Sequence, residues 1–306
     1  MSKNTLSLIV FPGAPNLPIF SALEQGFFSE AGVDISLETT PSSTYQMENL
    51  LDGNYQVAAT AFDNVLAYRG REGAVQTNGT SDLFAFMAAT RVELSLVVSP
   101  QIKKYEDLKG CSLAVDAHGT GFAFVLYDMI EKSGLSMSDV KFVSVGATPK
   151  RWESVRDGEH AGTLTIEPFT SMAVESGFHV LESSLNTTPN YQGGVFAASR
   201  EWASLNEESL IGFIRGYLRG LRWTLSSDNY EAAKDLLVTR MPAIKSTIVD
   251  RVMTKLLDPS TGLIPDGEFD ALGVRTVRSL RNRFSATKEK SIDFLTDIDA
   301  AYLKKV

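Results

Sequence analysis

Short β-prone runs alternate with stretches of helical spacing along the first two thirds of the chain. Leu6, Leu8, Ile9 and Val10 read as a strand, and Phe20, Leu23 and Phe27 recur at helical spacing after it. Between them lies Phe11-Pro-Gly-Ala-Pro-Asn-Leu-Pro-Ile-Phe20, a loop stiffened by Pro12, Gly13 and Pro15. Asn16 suits an N-cap there, and Pro18 suits a first helical turn. Such a loop presents backbone N–H groups at a helix N-terminus, where a polar or anionic group can be held. It lacks the Gly-Lys-Ser/Thr of a phosphate-cradling P-loop, and one glycine is too few for a dinucleotide fingerprint.

The same alternation continues. Strands are expected at 33–37, 55–60, 83–90, 94–98, 111–115, 142–145, 161–166, 179–181 and 195–198. A helix over 43–51 carries a capping-box spacing at Ser43 and Gln46, and another starts at Asp63 and Asn64. Further helices follow at 122–132, from Pro149, and from Pro168 to Gly177. From Asn206 the period is helical: Leu210, Phe213, Ile214, Tyr217, Leu221 and Leu225 share one face. More helices are expected at 230–238, 243–257, 269–284 and 292–303. Strands alternating with helices imply open, largely parallel sheets covered on both faces.

Composition narrows the function. At 306 residues the chain can build two lobes, and 43% apolar with 22% charged residues is ordinary for a globular protein. A net charge of -8 argues against nucleic acid and against an anionic membrane. No apolar run reaches spanning length, and Met1-Ser-Lys-Asn-Thr leads directly into the first strand without a signal-peptide pattern. Cys111 has no partner for a disulfide and no activating neighbour, so it reads as a small core side chain. His118, His160 and His179 lack ligand spacing, so neither a metal nor a cofactor is expected. The arginine-rich helix at 275–283 reads as a solvated face.

In an open α/β sheet, ligands sit beyond the carboxyl ends of the strands. Those ends supply Gly13, Ala14 and Asn16, then Ser42 and Ser43, then Asp63 and Asn64, then His118, Gly119, Thr120 and Gly121, then Glu167. If the first three groups belong to one lobe and the last two to the other, the ligand lies between lobes. Hinge crossovers then fall near 91–99 and 192–194, which adds Arg91 and Gln192 to the candidate set. Each residue has more than one reading. His118, two residues after Asp116, is an acid/base pair member if Glu167 lies opposite, or else a hydrogen-bonding ligand contact or a solvent-facing loop residue. Glu167 meets a cationic or N–H-bearing ligand or caps the helix after Pro168, and Asp63 with Asn64 has the same choice. Trp152 stacks on a ligand or fills a core, as do Phe11 and Tyr45. Arg91 forks a carboxylate or sulfonate, or pairs with Glu93.

Asn16-Leu-Pro-Ile-Phe with Glu24-Gln-Gly-Phe-Phe28, and Gly32-Val-Asp-Ile after it, resembles solute-binding proteins of ABC importers. The type is that of the sulfonate, taurine, nitrate and thiamine-precursor binders. Tyr105-Glu-Asp-Leu-Lys-Gly-Cys-Ser-Leu-Ala-Val115 and Gly119-Thr-Gly121 resemble the start of that family's second lobe. The resemblance implies a two-lobed, type II periplasmic-binding-protein-like α/β fold with the cleft between lobes. Residues 1–95 plus 193–306 would form lobe one, and 96–192 lobe two. It also implies a monomer that closes on a sulfonate, carboxylate or heterocycle and is read by an ABC permease. The compartment would be the periplasm, or the cytoplasm if Met1 is the native start. The same fold carries cytoplasmic enzymes, and the rival expectation is a decarboxylase, lyase or pyrimidine synthase using His118 and Glu167. A sulfinate-cleaving relative places its cysteine nucleophile where this chain has Gly13 or Ala14, which closes that route.

Overall fold

The computed structural model describes residues 4–75, 81–285 and 297–306. Its strands are β1 (Asn4–Val10), β2 (Val33–Thr39), β3 (Val57–Ala61), β4 (Leu83–Ala88), β5 (Ser95–Val98), β6 (Ser112–Val115), β7 (Lys141–Ser144), β8 (Gly162–Thr165), β9 (His179–Ser183) and β10 (Gly194–Ser199). The helices of the first half are α1 (Leu17–Glu24), α2 (Phe27–Glu30), α3 (Ser43–Leu51), α4 (Phe62–Arg69), α5 (Gly121–Lys132) and α6 (Thr148–Arg156). Those of the second are α7 (Phe169–Glu175), α8 (Ser184–Thr187), α9 (Arg200–Leu205), α10 (Glu207–Leu225), α11 (Tyr230–Arg240), α12 (Val249–Leu257) and α13 (Ala271–Phe284).

The strands form two five-stranded sheets, ordered β2-β1-β3-β10-β4 and β7-β6-β8-β5-β9. In the first, β1 runs parallel to β2 and β3, and β10 lies antiparallel between β3 and β4. In the second, β6 runs parallel to β7 and β8, and β5 lies antiparallel between β8 and β9. Successive side chains of β1 go to opposite faces. Leu6, Leu8 and Val10 enter the core under α10, while Ile9 enters the core shared with α3 and α4. Burial on both faces at the carboxyl end explains why Leu8, Ile9 and Val10 are consecutively apolar, whereas the amino-terminal half alternates, with Thr5 exposed and Ser7 half-buried between leucines.

The polypeptide passes between sheets twice, after β4 and before β10, and the two passages touch through a bridge between Arg91 and Gln192. Under the first sheet, α10 packs on α1 and α2. Phe28, Phe86, Phe196 and Tyr217 surround Phe213 in that core, the Phe28 ring stacked on it at 5.6 Å.

Several boundaries differ from the expectation, each for a local reason. The first amphipathic stretch splits into α1 and α2, because Gly26 takes φ 72 and ends the helix. Its expected stripe of Phe20, Leu23 and Phe27 is only partly buried; Arg219 lies over the Phe27 ring and Arg240 near Phe20. Ser42, not Ser43, caps α3, and Gln46 turns inward to donate to the Ile9 and Ala59 carbonyls. Helix α4 begins at Phe62 with Ala61 as its cap, so neither Asp63 nor Asn64 caps it. Residues 243–248 are turns, and the helix there starts only at Val249. Of the helix expected at 292–303, residues 292–296 lie outside the described residues. Residues 297–302 form turns, with Ile298 bridging to Ala85. No helix among the described residues is long and apolar enough to cross a membrane.

Candidate functional site

A cavity of about 110 Å³ lies between the two sheets, somewhat smaller than the dry protein cavity of about 150 Å³ known to take benzene. The first sheet contributes the opening loop (Phe11, Gly13, Pro15, Asn16), the start of α3 (Ser43), and the end of β3 with α4 (Ala59, Thr60, Ala61, Asn64). The second contributes Asp116, Thr120, Gly121 and Phe122 after β6, Thr148 and Arg151 on α6, and Ile166 after β8. Thr90, Val92, Gly193 and Val195 close it at the crossovers. Most of the wall is therefore hydrocarbon, with a few polar groups set into it.

Backbone groups join the two sides. Ala14 N–H donates to the Glu167 carbonyl at 3.1 Å, and Ala147 N–H donates to the Pro41 carbonyl at 3.0 Å. Gly146, at φ 115, permits that second approach, since a Cβ there would stand 2.9 Å from the Pro41 oxygen. Asn16 stands at the N-cap position of α1, as expected, but its side chain closes the loop by donating from Nδ2 to the Phe11 carbonyl at 2.8 Å and makes no capping hydrogen bond. Ser43 N–H, at the start of α3, donates to both oxygens of the Asp116 carboxylate at 3.0 and 3.3 Å. Asn64 donates to Thr60 Oγ1 at 2.9 Å.

Arg151 is the other charged group in the wall, and only 3% of it is exposed. Its guanidinium donates to Thr163 Oγ1, the Gly146 carbonyl, Thr148 Oγ1 and the Leu164 carbonyl, all neutral acceptors. Burial pulls its pKa down to about 10, and the charge of Asp116 works against that shift. Arg151 stays cationic at neutral pH, so Asp116 and Arg151 give the wall balanced charge.

The cavity gathers Phe11, Gly13, Asn16, Ser43, Asn64, Thr120 and Gly121 from the expected set. The others lie elsewhere. Ala14 is buried under the loop, and Ser42 is engaged as the cap of α3. Asp63 is fully buried in a two-oxygen pair with Arg281, at 2.8 and 2.5 Å. Arg281 also reaches Glu72 and the Gly119 carbonyl, which occupies Gly119. Arg91 donates to the Pro259 carbonyl at 2.6 Å and sits 3.9 Å from Asp270, not with Glu93, whose partner is Lys255. His118 is exposed, beside the Tyr127 hydroxyl. Trp152 is 3% exposed and meets Phe178 edge-on, in a core with Val97 and Phe169. Gln192 is fully buried at the crossover, donating to the Thr90 and Gly194 carbonyls and accepting from Asp270 N–H.

Glu167 faces a smaller cavity of about 40 Å³ beside the crossovers, with Arg91, Glu93 and Lys255. Its carboxylate accepts from Ser171 N–H and Oγ–H, so it satisfies a first-turn N–H of α7 from one residue before the N-cap, Pro168. Burial raises its pKa, and the Ser171 hydrogen bonds offset part of that rise. His118 and Glu167 are thus both absent from the wall of the main cavity.

Among the wall residues missing from the expected set are the two charged ones, Asp116 and Arg151, with Thr60, Thr90, Phe122, Thr148 and Ile166. Asp116 stands directly after β6, the same strand end that pointed to His118. Arg151 precedes Trp152 on α6, so the two diverge by about 100° around the helix. The available signal was the Pro-opened helix itself, where Arg151 stands beside the candidate Trp152.

Among curated proteins none matches the sequence. A Bordetella bronchiseptica RB50 protein of solved structure shares the fold at TM-score 0.80 and 21% identity, over 99% of this chain and 96% of that one. The periplasmic nitrate-binding protein NrtA from Synechocystis PCC 6803 matches at TM-score 0.78 and 13% identity, over 100% and 86%. The alkanesulfonate-binding protein SsuA from Xanthomonas axonopodis pv. citri, bound to MOPS, matches at 0.74 and 14%, over 94% and 96%. These likenesses show a two-lobed periplasmic-binding-protein fold. The sequence model described as NMT1/THI5 like matches residues 15–229, and the chain belongs to that family.

Proposed function

We propose that this chain is the solute-binding component of an ABC importer, closing its two lobes over a small organic molecule. The observation that carries the reading is the cavity itself. It is walled by strand ends and helix starts from both sheets, at the crevice where open α/β sheets take ligands. Lobe one would comprise residues 1–95 and 193–306 and lobe two 96–192, hinged at the bridged passages around Arg91 and Gln192. Phe11, Phe122 and Ile166 would cover the apolar body of the ligand. Asn16, Ser43, Asn64, Thr120, Thr148 and Arg151 would meet its polar atoms. The nitrate-binding and alkanesulfonate-binding neighbours support a solute-binding role, and the first of them supports the periplasm as its compartment. The closed monomer is what a permease would recognise.

The enzymatic alternative draws nothing from this geometry, since His118 faces solvent and the Glu167 carboxylate is engaged by Ser171. The test is a thermal-shift screen of sulfonates, aromatic acids, amides, amines and heterocycles. A ligand that binds the native state raises Tm by mass action, by about 2.7 kcal/mol of stability at a hundredfold excess over Kd. Silence across every class would refute a solute-binding role.

A further inference from the structure

We propose that Asp116 sets the ligand class, reserving the cavity for a neutral molecule that bears an N–H donor and excluding sulfonates and carboxylates. The proposal rests on the cleft being a solute site. A helix N-terminus in a binding cleft ordinarily draws an anion, through its free N–H groups and the helix dipole. At α3, a helix of nine residues, that position is filled from within the protein. Both oxygens of the Asp116 carboxylate accept from Ser43 N–H, at 3.0 and 3.3 Å. An anionic ligand would have to displace this carboxylate or stand beside a like charge in a largely apolar wall.

The balance of charge leads to the same class. Asp116 and Arg151 are the charged side chains of the wall, one of each sign. Arg151 does not stand as a bare anion receptor, because four neutral acceptors engage its guanidinium. Among the described residues, one Nη1–H of its five donors is left for a ligand acceptor. A second, independent group awaits a partner. The Ser43 hydroxyl lies in a residue only 3% exposed, in the cavity wall, and has no hydrogen-bond partner among the described residues. The site thus offers a carboxylate acceptor, a hydroxyl that donates or accepts, and one cationic donor, around space near the size of a single ring. An amino-substituted heteroaromatic or a primary aromatic amide satisfies all three, with N–H toward Asp116 and a ring nitrogen or carbonyl toward Arg151.

The experiment is calorimetric titration of the full chain with two matched sets of probes. One set is 2-aminopyrazine and benzamide, both uncharged at neutral pH; the other is benzoate, benzenesulfonate and butanesulfonate. The expected result is binding of the neutral set at least tenfold tighter than the anions. Asp116→Asn, checked for native circular dichroism, should narrow that ratio at least tenfold by weakening the neutral set and admitting benzenesulfonate. Ser43→Ala keeps the backbone N–H and the charges, and should weaken the neutral probes several-fold without favouring anions. Wild-type protein that binds benzenesulfonate or butanesulfonate as tightly as the neutral set overturns the proposal and leaves the solute-binding reading intact. Silence from both sets at millimolar concentration counts against the cleft as a solute site, and the proposal falls with it.

Discussion

Arg151 and Asp63 are both buried ionised side chains, and they are held in opposite ways. Arg151 has only neutral acceptors, four of them, so its fixed fork is what the surrounding carbonyls and hydroxyls are built to match. A lysine carries the same charge with three donors and no fork, so at least one buried acceptor would lose its partner. With hydrogen bonds from a charged donor at about 1.5–3 kcal/mol each, Arg151→Lys should lower stability by about 2–3 kcal/mol. A urea midpoint unchanged from wild type would show that these bonds do not hold α6 to β8. Asp63 is instead paired with Arg281, whose second carboxylate partner is Glu72. Asp63→Asn leaves a buried guanidinium with one carboxylate where it had two. Removing one partner of a buried pair typically costs about 3–5 kcal/mol, and Glu72 should keep this loss near the low end. A wild-type melting curve for Asp63→Asn would place the strength of that network elsewhere. Ligand affinity should fall only through stability, because Asp63 lies outside the cavity wall.

At the scale of elements, close contact between α10 and the first two helices depends on three glycines at four-residue spacing, Gly212, Gly216 and Gly220. A Cβ at Gly220 would stand 2.3 Å from the Pro18 carbonyl oxygen, and one at Gly216 would stand 2.4 Å from the Phe28 ring. Two effects compete on Gly220→Ala. Alanine improves helix propensity by about 1 kcal/mol, whereas overpacking a tight contact typically costs about 1–3 kcal/mol. The obstructing atom is backbone, which cannot swing aside, so the clash should win and lower Tm by several degrees. A rise in Tm would mean that α1 shifts freely on α10. This contact also marks the boundary of what the sequence discloses. Apolar spacing made each of the ten strands and the buried face of α10 legible, because periodicity is a local property. The division of α1 from α2, the start of α4 and the true cap of α3 were less legible, since one residue of φ or cap geometry decides them. For the site, the strand ends were visible and located Asn16, Ser43, Asn64, Thr120 and Gly121. What a neighbouring element does to a side chain was not visible. Nothing near Asp63 announces Arg281, 218 residues away, and nothing near Trp152 announces Phe178 rather than a ligand.

Across the whole molecule, α13 bridges helices that belong with different sheets. It packs on α4, which follows β3 of the first sheet, and on α5, which follows β6 of the second. Arg281 binds Asp63 and Glu72 on one side and reaches the Gly119 carbonyl on the other. Arg283 reaches Asp128 and Glu131 of α5, and the Phe284 ring lies 6.1 Å from Phe124 and 5.8 Å from Tyr127. If the cleft opens as proposed, this helix stays with one side. The Asp63–Arg281 pair is buried, whereas Arg283 is half exposed, so its ion pairs to α5 are the part of the attachment that solvent can screen. Exposed ion pairs contribute about 0–1 kcal/mol each and are screened by salt. Arg283→Gln removes two such pairs and should therefore shift the ligand-free molecule toward open lobes by a factor of up to about thirty, the ratio for about 2 kcal/mol. Small-angle scattering checks it: the variant should show a larger radius of gyration than wild type without ligand and the same radius once the lobes have closed. Salt at about 1 M, where the screening length is about 3 Å, should move the wild type in the same direction and leave the variant nearly unchanged. If variant and wild type scatter identically at low salt, the Arg283 contacts do not hold the lobes together, and α13 travels with α5 instead.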